Sequence, residues 1–153
     1  MGENMRTKVL AVASGGGHWV QLLCLRPAFE EHDVVYVTVQ ADYIEEVVDS
    51  RFYKVTDATR WSRWSLAKMV AEMCYIIIRE RPDIVISTGS APGAVALRIG
   101  KWLGAKTIWI DSIANIQEIS MSGYKVRKYS DLWLTQWEHL ARSEGPRYFG
   151  SIL

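Results

Sequence analysis

The sequence predicts an α/β domain, a Rossmann-like parallel sheet with helices on both faces. Three observations carry this reading. Short apolar, β-branched runs alternate with amphipathic stretches from end to end. The first run, Val9-Leu10-Ala11-Val12-Ala13, is continuously apolar, as in a parallel strand buried on both sides. It leads through Ser14-Gly15-Gly16-Gly17-His18 into a helical pattern, the order that aims free backbone N–H groups at an anion.

The elements follow in order. Lys8–Ala13 is the first strand. The helix after His18 carries Leu22, Leu25 and Phe29 at helical spacing, with Pro27 kinking or shortening its last turn. Val34–Val39 is a β-branched second strand. Asp42 begins a short helix, with Glu45 placed as in a capping box. Arg51–Val55 reads as a short third strand. Trp64 to Glu80 is an amphipathic helix with Leu66, Met69, Val70, Met73 and Ile77 on one face, ended by Pro82. Asp83–Ser87 is the fourth strand, and Ser90 is the expected N-cap of the next helix, with Pro92 in its first turn. That helix is expected to bury Val95, Ile99, Trp102 and Leu103 and to end at Gly104. Lys106–Ile110 and Asp131–Thr135 are the fifth and sixth strands, and Tyr148–Leu153 is a candidate last short strand.

Length and composition bound the function. A chain of 153 residues, 49% hydrophobic and 23% charged, builds one domain with a real core. The net charge of +1 gives nucleic-acid binding no electrostatic support. Cys24 and Cys74 lie far apart in apolar helical contexts and read as buried free thiols of a reducing compartment. No signal peptide or membrane-spanning run is visible, so the expectation is a cytoplasmic protein, at most resting on a membrane. Seven tryptophans exceed what a core of this size needs and ask for a stacking or interfacial role.

In a parallel sheet of this kind ligands bind at the carboxyl ends of the strands. That puts the loops 14–18, 87–93, 111–115 and 135–138 on one rim, all polar or glycine-rich. The first loop is not the dinucleotide fingerprint, because Val20 stands where its third glycine belongs, and no Gly-Lys-Ser/Thr follows as in a Walker A loop. His18, His32 and His139 have no carboxylate or cysteine partners at metal-ligand spacing, and there is no Gly-x-Ser-x-Gly elbow. His18 sits beside the anion site. A helix N-terminus opposes positive charge there, which suits a histidine that accepts a proton from an attacking hydroxyl.

Each motif has a plainer structural alternative. Glycines at 15–17 also permit a tight turn. Thr88-Gly89-Ser90-Ala91-Pro92-Gly93 is either a second phosphate or sugar site or a capped turn. Asp111 accepts from a sugar hydroxyl or acts as a base, or else caps its turn with Ser112. Trp61, Arg63, Trp64 and Lys68 mix aromatic and basic side chains as a bilayer interface does, or else form a solvated helix start with tryptophans on the core.

Taken together, Ser14–His18, Thr88–Gly93 and the C-terminal third resemble one family. The C-terminal part comprises Trp109-Ile110-Asp111-Ser112-Ile113-Ala114-Asn115, Ser120-Met121-Ser122-Gly123-Tyr124-Lys125 and Tyr129–Trp137. The family is that of the fourteenth asparagine-linked glycosylation protein and its bacterial relatives in capsule and exopolysaccharide synthesis. The resemblance implies the N-terminal, acceptor-side half of a split GT-B glycosyltransferase. It implies that a small partner supplies the nucleotide-sugar domain, and that this half binds a polyprenyl-diphosphate-linked saccharide at the cytoplasmic membrane face. It implies transfer from a UDP-sugar (N-acetylglucosamine, glucuronate or another hexose), with no cofactor and no metal. Carried onto this sequence, it makes His18 and Asp111 the catalytic candidates. Ser14, Gly15, Gly16, Gly17, Thr88, Gly89, Ser90, Gly93, Ser112, Asn115 and Gln136 become substrate-binding candidates. The chain departs from the family's usual Glu at Asp111 and frequent Arg at Asn115, and it lacks the N-terminal transmembrane helix of eukaryotic members, which points to the bacterial branch. The alternatives are a non-catalytic membrane scaffold for a self-sufficient partner and a free-standing nucleotide-binding protein. Against the latter, Val37-Thr38-Val39-Gln40 offers no acidic ribose-binding residue.

Overall fold

A computed structural model describes residues 6–58 and 62–153. They form a seven-stranded, wholly parallel sheet in the order β3-β2-β1-β4-β5-β6-β7. The strands are β1 (Lys8–Ala13), β2 (Asp33–Thr38), β3 (Arg51–Lys54), β4 (Ile84–Gly89), β5 (Lys106–Ile110), β6 (Leu132–Thr135) and β7 (Arg147–Tyr148). The helices are α1 (Gly17–Cys24), α2 (Arg63–Glu80), α3 (Ala91–Trp102) and α4 (Met121–Val126). Strand order reverses between β1 and β4, which makes the crevice at their carboxyl ends the switch point of the fold.

The alternation of each strand feeds two cores, one per sheet face. Leu10, Val12, Val35 and Val37 point toward α2 and α3, where Met69, Met73, Ile76, Ile77 and Leu97 cover them. Val9, Ala11, Ala13 and Tyr36 point the other way, under Trp19, Leu22 and Phe29. Burying a side chain such as Met69 or Leu22 contributes about 2 kcal/mol. Pro27 acts as expected: α1 stops at Cys24 and the chain continues as a 3-10 turn over Arg26–Phe29.

Several local expectations are corrected. The turn after β2 is a 3-10 helix, Ala41–Glu46, without a side-chain cap, so Asp42 and Glu45 do not form a capping box. Leu66 is exposed, whereas Ile76 joins the buried face of α2. Ile99 is buried as expected, but the rest of the buried face of α3 is Pro92, Gly93, Ala96, Leu97 and Gly100, while Trp102 and Leu103 are exposed. Small residues mark this face because the helix lies tight on the sheet. A Cβ at Gly93 would fall 1.8 Å from Ser87 Oγ, and one at Gly100 would fall 2.6 Å from Val85 Cγ2. Ser90 occupies the N-cap position of α3 but caps no N–H through its side chain. Cys24 is exposed and Cys74 half-buried, so the expectation of two buried thiols fails. The last strand is only Arg147–Tyr148 and stops short of residues 149–153.

Far from the switch point, Glu80 at the end of α2 is buried against three donors. Tyr53 Oη donates to Oε1 at 2.6 Å and Arg51 Nη1 to Oε2 at 2.7 Å, and Lys8 Nζ lies 3.5 Å from Oε2. Hydrogen bonding to the Glu80 carboxylate pushes the Tyr53 phenol up from its ordinary pKa.

Candidate active site

The candidate site begins where β1 and β4 part. Ser14 N–H donates to Gly89 O at 2.9 Å, which stitches the two loops together at the switch point. Gly16, with φ 67°, starts α1, and no side chain caps that start. The N–H groups of Gly17, His18 and Trp19 therefore have no acceptor within the helix and face the crevice with the positive end of its dipole. Gly16 N–H donates to Tyr43 Oη at 3.0 Å, and Tyr43 stacks on Trp19 with centroids 5.0 Å apart. The 41–46 turn thus forms one side of the glycine loop.

His18 is locked onto β4 by a reciprocal pair. Its Nδ1 lies 2.9 Å from Thr88 O, and Thr88 Oγ1 donates to His18 O at 2.7 Å. A carbonyl oxygen can only accept, so Nδ1 carries the proton, and in the neutral ring the lone pair is on Nε2. Gly89 makes this closeness possible. Its φ is 121°, and a Cβ there would sit 2.6 Å from His18 Nδ1. The peptide bond from Gly89 to Ser90 is cis.

The loop after β5 is organised by Asp111, which is 1% exposed. Its Oδ1 accepts from Trp109 Nε1 at 3.0 Å and from Ser120 Oγ. Its Oδ2 accepts from Asn115 Nδ2 at 3.0 Å and Ser120 N at 2.9 Å. Ser120 in turn accepts from Gly123 N at 2.9 Å and caps α4. A Cβ at Gly123 would lie 2.8 Å from Asp111 Oδ1, so glycine is needed for α4 to approach. This carboxylate is committed to the loop.

The sequence-derived candidates therefore divide. Ser14, Gly15, Gly16, Gly17, His18 and Ser90 lie on the rim, exposed or half-buried. Thr88, Gly89, Gly93, Asp111, Ser112 and Gln136 are buried, and Asn115 is half-buried. The side chains of Thr88, Asp111, Ser112, Asn115 and Gln136 make hydrogen bonds within the chain that hold the loops, and Gly93 lets α3 sit close on β4. Arg63, Trp64 and Lys68 lie apart on the first turns of α2. Trp64 is 87% exposed, so it does not pack on the core. Trp61 lies outside the described residues.

Sequence reading missed Gln21, Tyr43 and Ser120. Gln21 carried one usable signal, a lone amide inside the apolar run that follows the glycine loop. Among the described residues no group of three or more His, Cys, Asp or Glu is placed to hold a metal ion, and no helix is long and apolar enough to cross a membrane.

A family model described as "Oligosaccharide biosynthesis protein Alg14 like" matches residues 33–152. The chain belongs to the Alg14-like family. The match begins after the first glycine loop and covers β2 to the C-terminal segment. A Candida albicans relative, "UDP-N-acetylglucosamine transferase subunit ALG14", is 30% identical over 84 residues, which are 50% of this chain and 38% of the relative. Among solved structures, Acinetobacter baumannii MurG superposes with a TM-score of 0.74 at 10% identity, over 92% of this chain and 44% of that one. A Rickettsia bellii UDP-N-acetylglucosamine 2-epimerase superposes at 0.66 with 15% identity, over 88% of this chain and 40% of that one. The Alg14-like fold is thus Rossmann-like, with GT-B glycosyltransferases such as MurG as structural neighbours. The chain spans less than half the length of these relatives.

Proposed function

We propose that this chain is the acceptor-side subunit of a two-chain glycosyltransferase that builds a lipid-linked saccharide. A partner subunit binds a UDP-sugar and closes over the crevice between β1 and β4. The sugar is N-acetylglucosamine, glucuronate or another hexose, and the acceptor is a saccharide on a polyprenyl diphosphate. The observation that carries this reading is the uncapped start of α1 with His18 Nε2 beside it, in an Alg14-like chain. The free N–H groups of that first turn suit the acceptor's diphosphate.

In the transfer step the acceptor hydroxyl attacks the anomeric carbon of the UDP-sugar. The new C–O bond forms as the bond from that carbon to the diphosphate oxygen breaks. UDP leaves with the electron pair, and His18 Nε2 takes the hydroxyl proton. His18 is held for this by Thr88, while Asp111 keeps the neighbouring loop in place. No cofactor is required beyond the two substrates. Among the described residues the exposed Trp64 and Leu66, flanked by Arg63 and Lys68, support a site where α2 rests on anionic lipid. α2 starts beyond the carboxyl end of β3, so this contact lies on the same rim as the crevice. We place the protein on the cytoplasmic face of the membrane, in the capsule or exopolysaccharide branch.

The test is a titration with a short-chain polyprenyl-diphosphate saccharide and, separately, with a UDP-sugar. The isolated chain is expected to bind the first and not the second. Binding of the UDP-sugar alone would overturn the acceptor-side assignment.

A further inference from the structure

Gln21 and Gln136 are two buried amides, 3% and 4% exposed, with every hydrogen-bonding position filled. Gln21 Nε2 donates to Gly17 O at 3.2 Å and Ser112 Oγ at 3.0 Å. Gln21 Oε1 accepts from Ile113 N at 3.0 Å and from Gln136 Nε2 at 2.6 Å. Gln136 Nε2 also donates to Asp111 O at 3.0 Å, while its Oε1 accepts from Ile152 N at 3.1 Å and Ser151 Oγ at 3.4 Å. A side-chain amide offers two donors and two acceptor lone pairs, so no capacity is left over. Turning the Gln21 amide over would set its N–H groups against those of Ile113 and Gln136. The network therefore has one arrangement.

A leucine would fill the space of Gln21 with no polar groups to satisfy. The amide instead ties loops from different strands together. Gly17 opens α1 next to His18, just after the glycine loop that follows β1, and Ser112 and Ile113 belong to the loop after β5. Gln136 follows β6. β5 and β6 pair directly, but no backbone ladder joins the glycine loop to the loops that follow them, because β4 separates β1 from β5 in the sheet.

We propose that Gln21 is a positioning residue that sets the spacing between the Gly17–His18 turn and the 111–115 loop, and so holds the His18 proton acceptor in one place in the crevice. Its activity consequence rests on the transferase reading above; its structural consequence does not. Removing the amide leaves Ile113 N–H without its partner and takes one bond each from Ser112 Oγ, which keeps Ala114 N–H, and from Gln136 Nε2, which keeps Asp111 O. The strands stay paired, and the loops gain freedom. A displacement of about 1 Å at a reacting group costs up to about 100-fold in rate.

The test uses Gln21→Leu, Gln136→Leu and the double variant. By amide hydrogen exchange on the chain alone, Gln21→Leu is expected to speed exchange about 10-fold in residues 14–18 and 112–115 and to leave β1 and β4 unchanged. In the reconstituted pair, kcat is expected to fall about 10- to 100-fold with the UDP-sugar KM within about twofold of wild type. The double variant is expected to be no slower than the slower single one, since both cut the same network. Should Gln21→Leu not fold, Ser112→Ala removes one arm, with a smaller change in the same loops expected. Unchanged loop exchange in a folded variant overturns the proposal, as does a rate loss matched by an equal loss of folded protein. A wild-type pair with no transfer sinks the transferase reading, and the exchange result still decides whether Gln21 holds the loops.

Discussion

His18 Nδ1–H donates to the carbonyl oxygen of Thr88 at 2.9 Å, and Thr88 Oγ1 donates back to the carbonyl oxygen of His18 at 2.7 Å. Two bonds in opposite directions fix both the ring and its tautomer, and leave Nε2 as the acceptor in the neutral imidazole. A freely rotating histidine on a helix start would have neither property.

His18→Ala is expected to lower kcat by about 10²- to 10⁴-fold, the usual share of a general base. The fold should persist, since His18 is half-buried on the rim. Gly89→Ala tests the same geometry from the other side. A methyl group 2.6 Å from Nδ1, at a φ of 121°, must push the ring away. We expect a rate loss comparable to that of His18→Ala and a stability loss of about 1–3 kcal/mol. Steady-state kinetics with urea melts separate the two effects; full activity in either variant removes His18 from the chemistry.

Asp111 gives the opposite pattern. Its carboxylate holds Trp109, Asn115 and Ser120 from a fully buried position. Asp111→Asn keeps the size but turns one acceptor into a donor facing other donors. We expect a loss of about 2–4 kcal/mol in urea denaturation, with activity falling in step with folded protein. A stable Asp111→Asn protein with no turnover would instead make the carboxylate a reacting group.

Asp131 predicts an acid-sensitive edge. The hydrogen bond from Lys101 holds its carboxyl below the ordinary value, aided by bonds from Thr107 and opposed by burial. A group with a depressed native pKa stabilises the fold at pH values above its unfolded pKa of about 3.9, and that stabilisation is lost as pH falls through the lower native value. Asp131→Asn should therefore lower the melting temperature at neutral pH by about 2–4 °C. The gap to wild type should close on acidification below about pH 4. A gap independent of pH would show that the ion pair with Lys101 contributes nothing.

Sheet and rim were legible because β-branched runs and glycine loops are local signals. β1 and β5 match the sequence reading to the residue, and β2, β3 and β6 to within one. What was not legible depends on close approach and on partners distant in sequence. The buried face of α3 is chosen by Gly93, Ala96 and Gly100, which carry little hydrophobic signal, while Trp102 and Leu103 look apolar and face outward. α4 has only six residues, too few for a period. Asp111 stands out in the sequence as a lone carboxylate at a strand end, but nothing local shows its donors, two of them from Ser120, nine residues away. Gln21 and Gln136 are 115 residues apart, and nothing local shows that they meet.

The most direct measurement is sugar transfer from a labelled UDP-sugar to a polyprenyl-diphosphate-linked acceptor. It is made with this chain, with the donor-binding partner, and with both. The account predicts transfer by the pair and by neither alone, slowed about 10²- to 10⁴-fold by His18→Ala in an intact complex. Transfer by either chain alone at the rate of the pair would contradict it.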